Sequence, residues 1–427
     1  MNSRFKLMVV TSSTALVVLL LLGAAAGRSA SPDDAYRHLS VYTEVLSRIK
    51  SEYVEEPDIK KVTLGATNGL LEAMDPFASY LSSEQYKQYL RAQESRKTGV
   101  GLALSRKFGY VGVVNVVPGS AAWKAGLTTG DMLEAIGGVG TRDMPLAYAE
   151  MLLTGDPGTS VELSVLRVRK PEPQKITLTR AAVRYPDVSS RMLSDGIGLV
   201  QAVSLADGRV KDVAQHLEGL RKQGAKRYIL DLRNSGFAKP EDGVALANLF
   251  LDKGLIAYTK GQKSARQDFN AEPARAQFRS EPLVILTNRG TANAAEVATA
   301  ALLDNKRAEV VGEKTYGDAA IRRPITMDDG SAVLLAVAKY YSPAGKAIMD
   351  DNVTPSVTVT VMEPVADTEG DDATPAAAPE PKKDEDDVIL KRGIEVLTKG
   401  NKAQANVAKE SVAPAAAIPE RQNPLRD

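Results

Sequence analysis

The spacing of apolar residues divides this chain into segments with different periods. Between residues 33 and 91, apolar side chains recur three and four positions apart, as at Tyr42, Val45 and Ile49, which predicts amphipathic helices. From residue 97 to 179 the pattern changes to short β-type runs broken by glycine, at 111–117, 131–136, 160–167 and 175–179. This segment predicts a small, separate β-rich domain.

Beyond residue 180, apolar runs of strand length alternate with helical patterns. The predicted strands are 197–203, 228–232, 283–287 and 308–311, and the predicted helices are 210–220 and 292–303. Such alternation favours an α/β layer architecture. Acidic residues and prolines dominate 363–387, which predicts a disordered acidic linker, followed by a short helix at 388–397 and an unstructured end.

The first thirty residues predict export. Arg4 and Lys6 precede an uncharged run, residues 7–27, which is long enough for a single membrane span but also has the form of a secretory signal. The small residues 24–26 suit a cleavage site. Both alternatives stay open, and in both the basic flank remains cytoplasmic while the rest of the chain is translocated.

The composition then excludes several kinds of partner, metal site and catalytic nucleophile. The chain has 427 residues with 54 Lys and Arg against 53 Asp and Glu, so no basic field favours nucleic acid as a partner. It has no cysteine and two histidines, His38 and His216, which excludes disulfides, Cys-rich zinc sites, Fe–S ligation and a cysteine nucleophile. We therefore expect no metal and no cofactor, and among hydrolase mechanisms the composition favours serine–lysine chemistry.

Several separated blocks resemble the C-terminal processing peptidases, also called tail-specific proteases. Residues 71–81 (LEAMDPFASYL) resemble the family's N-terminal signature, and residues 231–233 (DLR) resemble the strand end before its oxyanion loop. The remaining blocks are 99–102, 118–122 and 124–131, which are similar to its PDZ domain, and 307–317 and 338–345, which are similar to its peptidase core. The blocks occur in the family's order along the chain.

The resemblance implies a multidomain α+β and α/β fold, with a β-rich PDZ module between an N-terminal helical segment and an α/β peptidase-like core of the crotonase-like type. The expected divisions are 1–30 for the signal or anchor, 31–95 for the helices, 96–180 for the PDZ domain, 181–362 for the core and 363–427 for the acidic tail. It also implies a bacterial-type periplasm or cell envelope, with residues 7–27 as a candidate inner-membrane anchor.

A peptide-binding site is predicted at Gly99, Val100, Gly101 and Leu102. In β-augmentation a peptide adds to a sheet edge, and N–H groups of a Gly-rich turn capture its terminal carboxylate. The glycines would give the loop its backbone freedom, and Val100 and Leu102 would line the pocket for the last side chain. The alternative is an ordinary turn between strands; the PDZ-like blocks that follow favour the peptide site.

The catalytic positions depart from the family pattern. The resemblance implies a serine–lysine dyad supported by a glutamine, but in register this chain has Asn293 at the serine, Asp318 at the lysine and Arg322 at the glutamine. An asparagine amide is not a competent nucleophile. Phe237 replaces a glycine of the oxyanion loop and, with Ala294, marks the oxyanion region. Asp318 and Arg322 are expected to form an ion pair.

Two hypotheses remain. In the first, the protein is an exported, non-catalytic member of the family that binds protein C-termini through its PDZ domain, or pairs with itself or an active relative. In the second, it is an active serine- or threonine-type endopeptidase with displaced catalytic residues, such as Thr291 with Lys314. The structural alternatives are a helix N-cap for Thr291 and a solvated loop charge for Lys314.

Overall fold

The computed structural model describes residues 32–94, 98–107, 109–167, 172–360 and 387–410. The chain forms two units that divide between Ala66 and Thr67. The first contains helix α1 (Pro32–Glu52) and the start of α2 (Ile59–Met74), as the helical period predicted. No helix among the described residues is long and apolar enough to cross a membrane. The predicted export segment and the acidic linker at 363–386 lie outside the described residues.

The second unit begins with the end of α2 and contains a β-rich module. After strand β1 (Ser79–Leu81) and helix α3 (Ser83–Glu94) come the module's elements: β2 (Leu102–Lys107), β3 (Tyr110–Val116), α4 (Ala121–Lys124), β4 (Met132–Ile136), β5 (Val139–Gly140), α5 (Leu146–Leu153), β6 (Ser160–Leu166) and β7 (Gln174–Thr179). The strands form an antiparallel sheet in the order β2-β3-β4-β6-β7, with β5 paired to β4. Strand β2 is therefore an edge, open to a further strand.

The core of the second unit is built on a mainly parallel sheet. Its strands and helices are β8 (Ser189–Met192), β9 (Ile197–Gln201), α6 (Arg209–Lys222), β10 (Arg227–Asp231), α7 (Pro240–Asn248), β13 (Leu283–Thr287), α8 (Ala294–Asp304), β14 (Glu309–Gly312) and β17 (Val357–Thr358). The order is β17-β14-β13-β10-β9-β8, parallel except for β8. The helices cross between parallel strands, as this pairing requires.

Both faces of this sheet are buried, which explains the continuous apolar runs of its strands. Leu230 and Ile285 point to the face covered by α6, α7 and α8, whereas Ile229 and Val284 point to the opposite face. Helix α10 (Val388–Glu410) covers that second face through Ile389, Leu390 and Leu397. It is longer than the helix predicted at 388–397.

An ion pair fixes the start of α10. Arg233, which follows β10, contacts Asp387 through Nη1 (2.8 Å) and Asp231 through Nη2 (2.6 Å). Both carboxylates hold the guanidinium in its charged form, and its pKa lies above its ordinary value. The pair therefore joins the C-terminal helix to the loop that leaves β10.

A second, antiparallel sheet closes the core. It contains β11 (Leu255–Lys260), β12 (Gln267–Asn270), β15 (Ala320–Thr326) and β16 (Ala332–Tyr341), and β1 adds to its edge with Ser79 opposite Leu334. A short helix, α9 (Ile348–Asp351), follows. These four strands were not predicted; β16, for example, is apolar along most of its length and shows no regular alternation of apolar and polar residues. The pairing of β1 shows that the segment before the β-rich module is part of the core.

The cover formed by α10 can be tested with Leu390, which is 2 % exposed. Leu390→Ala should lower the free energy of unfolding by about 2–4 kcal/mol because it leaves a cavity against the sheet. The matched control is Val388→Ala, since Val388 is 56 % exposed and should change stability by less than about 0.5 kcal/mol. Urea unfolding of the full chain measures both, and equal small effects would contradict the packing of α10.

Candidate functional site

Three loops meet at the carboxyl edge of the parallel sheet. They follow β10, β13 and β14, and carboxyl ends of parallel strands lie along one edge, where α/β proteins bind ligands. The loops comprise residues 233–238, 288–293 and 313–318. Phe237, Asn293 and Asp318 are thus brought to the same place although the sequence separates them widely.

Amide side chains hold the first two loops together. Asn288 Oδ1 accepts hydrogen bonds from the backbone N–H groups of Asn234 (2.9 Å) and Gly290 (3.1 Å), and its Nδ2 donates to Asn234 Oδ1 (2.9 Å). Thr291 Oγ1 accepts from the N–H of Asn288 and donates to the carbonyl of Leu232 at 2.9 Å. Thr291 is fully buried, so its hydroxyl belongs to this network.

Asn293 is the N-cap of α8, so the N-cap interpretation of Thr291 is wrong. The loop needs two further residues before the helix starts, because it turns at Asn293 with φ 52° and ψ −117°. A residue other than glycine in such a conformation costs about 1–3 kcal/mol and persists only when its surroundings hold it.

The surroundings that hold it centre on Glu296, which is completely buried. Its Oε2 accepts from the backbone N–H groups of Asn293 (3.0 Å) and Asp318 (2.8 Å). Its Oε1 accepts from Gly317 N–H (2.6 Å) and from the Thr315 hydroxyl (2.5 Å). One carboxylate therefore fixes Asn293 and Asp318 against each other.

Asn293, Asp318 and Arg322 form a connected series of side chains. Asn293 Nδ2 donates to Asp318 Oδ2 at 3.2 Å, and Arg322 Nη1 lies 2.7 Å from Asp318 Oδ1. The second contact is an ion pair whose angles fall outside those of a hydrogen bond. The guanidinium also stacks on Phe77, with Cζ 4.4 Å from the ring centre. The expected ion pair between Asp318 and Arg322 is present. Because Asp318 precedes strand β15, the two side chains meet without being one helical turn apart.

The Gly-rich loop before β2 faces these residues from the β-rich module. The backbone N–H groups of Val100 and Gly101 donate to no backbone carbonyl within the described residues. Gly101 has φ +84°, and a Cβ placed on it would lie 2.3 Å from Cβ of Ser120. The loop geometry therefore requires glycine at this position.

A cavity of about 520 Å³ joins the two parts. Its lining includes the predicted residues Gly99, Val100, Gly101, Leu102, Phe237, Asn293, Asp318 and Arg322. Ala294 is not among them, since it is buried in the first turn of α8. The loop and the three family positions thus share one cavity, which spacing along the chain could not show.

Other residues of the site carried no sequence signal. Asn115, in β3, is buried and donates from Nδ2 to the carbonyls of Asn234 (2.5 Å) and Gly290 (3.4 Å), so it joins the β-rich module to the core loops. Glu150, in α5, and Tyr316 also line the cavity. The place of each of these residues in the site depends on the packing of the β-rich module against the core.

Two carboxyl groups have raised pKa values. Burial raises the pKa of Glu296 to about 7, against the effect of its hydrogen bonds. The pKa of Glu150 also rises to about 7, first through desolvation and then through the charge of Asp318, while Arg322 lowers it. The Glu150 side chain is solvent-accessible, but it lines a cavity walled by protein, which accounts for its desolvation.

The other candidate residues lie elsewhere. Lys314 is exposed and lines a separate cavity of about 300 Å³. His216 lies on α6, where its Nδ1 is 2.7 Å from Ser190 Oγ on β8. Among the described residues, no group of three or more His, Cys, Asp or Glu side chains is placed to hold a metal ion.

Comparison with known proteins identifies the family. Residues 196–359 match the model of peptidase family S41, and residues 112–167 match that of the PDZ domain. The chain is 31% identical to the carboxy-terminal processing protease CtpA of Bacillus subtilis over 77% of this chain and 70% of the relative. This protein belongs to peptidase family S41. It is also 33% identical to a carboxyl-terminal-processing protease of Synechocystis sp., over 69% of this chain and 70% of the relative.

A solved structure supports the same assignment. The photosystem II D1 C-terminal processing protease is similar with a TM-score of 0.61 and 27% identity, over 75% of this chain and 92% of that chain. The mixed α/β fold, with N-terminal helices, a PDZ domain and an S41 peptidase domain, is confirmed. The β-rich module is the PDZ domain, and the core is the S41 domain.

The function of Glu296 as a structural centre can be tested by Glu296→Gln. The amide NH₂ would face two N–H or O–H donors whichever way it turned, so the variant should lose about 1–3 kcal/mol of unfolding free energy at pH 8. Glu309→Gln is the control, since Glu309 is exposed and accepts one hydrogen bond, from Ser356. Urea unfolding compares them, and equal losses would contradict the arrangement.

The raised pKa of Glu150 predicts a pH dependence of stability. Below pH 4.5 this carboxyl is protonated in the folded and unfolded chains; between pH 4.5 and about 7 the folded chain keeps a proton that the unfolded chain releases. Its stabilising contribution is therefore complete below pH 4.5 and is lost as pH rises through 7. Relative to Glu150→Gln, the wild type should lose stability between pH 5 and 8 in urea titrations. A constant difference would contradict this prediction.

Proposed function

We propose that this protein is a non-catalytic, exported member of peptidase family S41 that binds protein C-termini through its PDZ domain. The observation that carries the proposal is the series Asn293–Asp318–Arg322 at the positions where the family resemblance implies serine, lysine and glutamine. An asparagine amide does not lose a proton at physiological pH, and its nitrogen lone pair is delocalised into the carbonyl group, so it is not a competent nucleophile. The position that would hold the nucleophile therefore holds a hydrogen-bond donor to a carboxylate.

The other two positions do not supply a general base. Asp318 is occupied by Asn293 Nδ2 and by the guanidinium of Arg322, so its charge is already paired. Arg322 stays protonated in any physiological condition and cannot accept a proton. A dyad needs a hydroxyl beside a group that can take its proton. The pairing of these three side chains argues against such a dyad.

The alternative is an active serine- or threonine-type endopeptidase with displaced residues. Of the described residues that line the cavity, Thr154 is the only serine or threonine, and there is no lysine or histidine. Thr154 Oγ1 donates to the carbonyl of Glu150 (2.8 Å), as a helix residue commonly does. Thr291 is buried in the loop network, and Lys314 lines the other cavity. These placements favour the non-catalytic proposal.

Peptide binding is the activity that the site supports. The edge strand β2 can accept a further strand, and α5 forms the other wall through Leu146 and Leu153. The N–H groups of Val100 and Gly101 are placed to receive a carboxylate at the end of that groove. The apolar lining at Val100 and Leu102 suits an aliphatic last residue.

The proposal also includes the export of the protein and the partners that it binds. Residues 1–30 act as a signal or anchor, the envelope is the compartment, and the partner is a protein C-terminus, a second copy or an active relative. The support is the basic and apolar N-terminal sequence, together with the intact PDZ blocks. The division at 31–95, 96–180, 181–362 and 363–427 belongs to the same proposal.

Carboxylate capture is tested with a fluorescent decapeptide ending in leucine, with a free or an amidated C-terminus. The free form should bind the full chain at least about tenfold more tightly, since charge-assisted hydrogen bonds are lost on amidation. Gly101→Ala should remove the difference, because its Cβ meets Ser120. The control is Gly140→Ala, where a Cβ meets nothing within 4 Å. Equal affinity of both peptides would refute capture.

The absence of catalysis is tested by incubating the purified full chain with an unstructured protein substrate. We expect no cleavage above that of a blank, with fragments followed by mass spectrometry. The variants Thr291→Ala and Lys314→Ala test the alternative, in which these two residues are the displaced catalytic pair of an active endopeptidase. Turnover by the wild type that disappears in either variant would establish the displaced peptidase and overturn the non-catalytic proposal.

A further inference from the structure

Two of the charged side chains that line the cavity form an ion pair with each other, and another has no such partner among the described residues. Asp318 and Arg322, on the S41 side, contact each other at 2.7 Å, so they largely neutralise one another. The PDZ side contributes Glu150, which lines the same space. No hydrogen bond or ion pair reaches its carboxylate from the described residues, and the charges that act on it are those of Asp318 and Arg322. The unpaired charge of the cavity is therefore negative and lies on α5.

The position of Glu150 on α5 relates it to the peptide groove. Leu146, Ala147, Glu150 and Leu153 recur three and four positions apart and all line the cavity. Leu146 and Leu153 are buried, whereas Glu150 is exposed to the cavity. The helix wall of the groove is thus apolar at its two ends and acidic in the middle. A peptide that lies between β2 and α5 passes this carboxylate.

The surroundings of Glu150 favour a positively charged ligand group beside its carboxylate. Most residues that line the cavity are apolar or aromatic, such as Phe77, Leu146 and Leu334, and these side chains solvate a carboxylate poorly. An ammonium or guanidinium group brought beside Glu150 would compensate its charge, whereas an aliphatic side chain would not. The attraction is stronger than at an open surface because the cavity wall excludes part of the water.

We propose that Glu150 is a specificity-determining residue that selects peptides with a lysine or arginine close to their C-terminus. This inference rests on the proposed binding of C-termini by the PDZ domain. The terminal carboxylate lies at Val100 and Gly101, and side chains of an added strand alternate between the two sides of the groove. A basic side chain a few residues before the end, on the α5 side, meets Glu150. The carboxylate that distinguishes one peptide from another therefore lies on helix α5 of the PDZ domain and not at the family's catalytic positions.

The experiment uses the full chain and a set of fluorescent decapeptides ending in leucine. Alanine is replaced by lysine, one position at a time, at the four positions before the last residue, and each peptide is titrated at pH 8. We expect one or two of these positions to increase affinity about threefold to tenfold, within the range of partly buried ion pairs. Glu150→Gln should abolish the increase, so that the lysine and alanine peptides bind this variant with equal affinity.

Glu162→Gln is the matched control. It makes the same change of charge within the PDZ domain, but the Glu162 side chain is exposed on β6, where Oε1 lies 3.5 Å from Lys175 Nζ. It should keep the preference for lysine. Lowering the pH to 5.5 should reduce the preference of the wild type, since protonation removes the charge of Glu150.

The outcomes separate the inference from the function on which it rests. If free and amidated C-termini bind equally, the proposed function fails. If binding needs the free carboxylate but lysine gives no advantage, or the advantage survives in Glu150→Gln, the proposed role of Glu150 is overturned. A gain from glutamate in place of lysine would also overturn it, because Arg322, whose Nε and Nη2 have no hydrogen-bond partner among the described residues, would then be the selecting group.

Discussion

The site depends on one buried carboxylate. Glu296 accepts hydrogen bonds from Asn293, Thr315, Gly317 and Asp318, which belong to two loops from different strands. Without these bonds the left-handed backbone at Asn293 would have no compensation for its strain. The same bonds bring Asp318 within reach of the Asn293 amide. The desolvation of Glu296 is the cost of this arrangement, and it appears as a raised pKa.

The cavity in turn depends on how the PDZ domain meets the S41 domain. Asn115 donates to carbonyls of both core loops, and β1 extends the core's antiparallel sheet from the segment before the PDZ domain. These contacts fix the Gly-rich loop opposite Asn293 and Arg322. The cavity lies between that loop and the side chains of Asn293, Asp318 and Arg322. Asp318 and Arg322 form an ion pair on the S41 side, and Glu150 lines the cavity from the PDZ side without an ion pair from the described residues.

The loops at the carboxyl edge of the sheet keep their shape through the amides of Asn234 and Asn288 and the hydroxyl of Thr291. Their shape does not depend on a nucleophile. Asn293, Asp318 and Arg322 contact one another beside these loops, although Nε and Nη2 of Arg322 have no hydrogen-bond partner among the described residues.

The sequence by itself determined the family, the order of the domains and the strands β9, β10, β13 and β14 of the mainly parallel sheet, because apolar periodicity and short motifs are local properties. It did not predict β8 and β17. It also identified Asn293, Asp318, Arg322 and the loop 99–102. Only the tertiary structure decided that they line one cavity, that Asn293 caps α8, and that Glu150 faces them, since each depends on contacts between residues far apart in the chain. The antiparallel strands β15 and β16 escaped prediction for the same reason: their pairing, not their period, stabilises them.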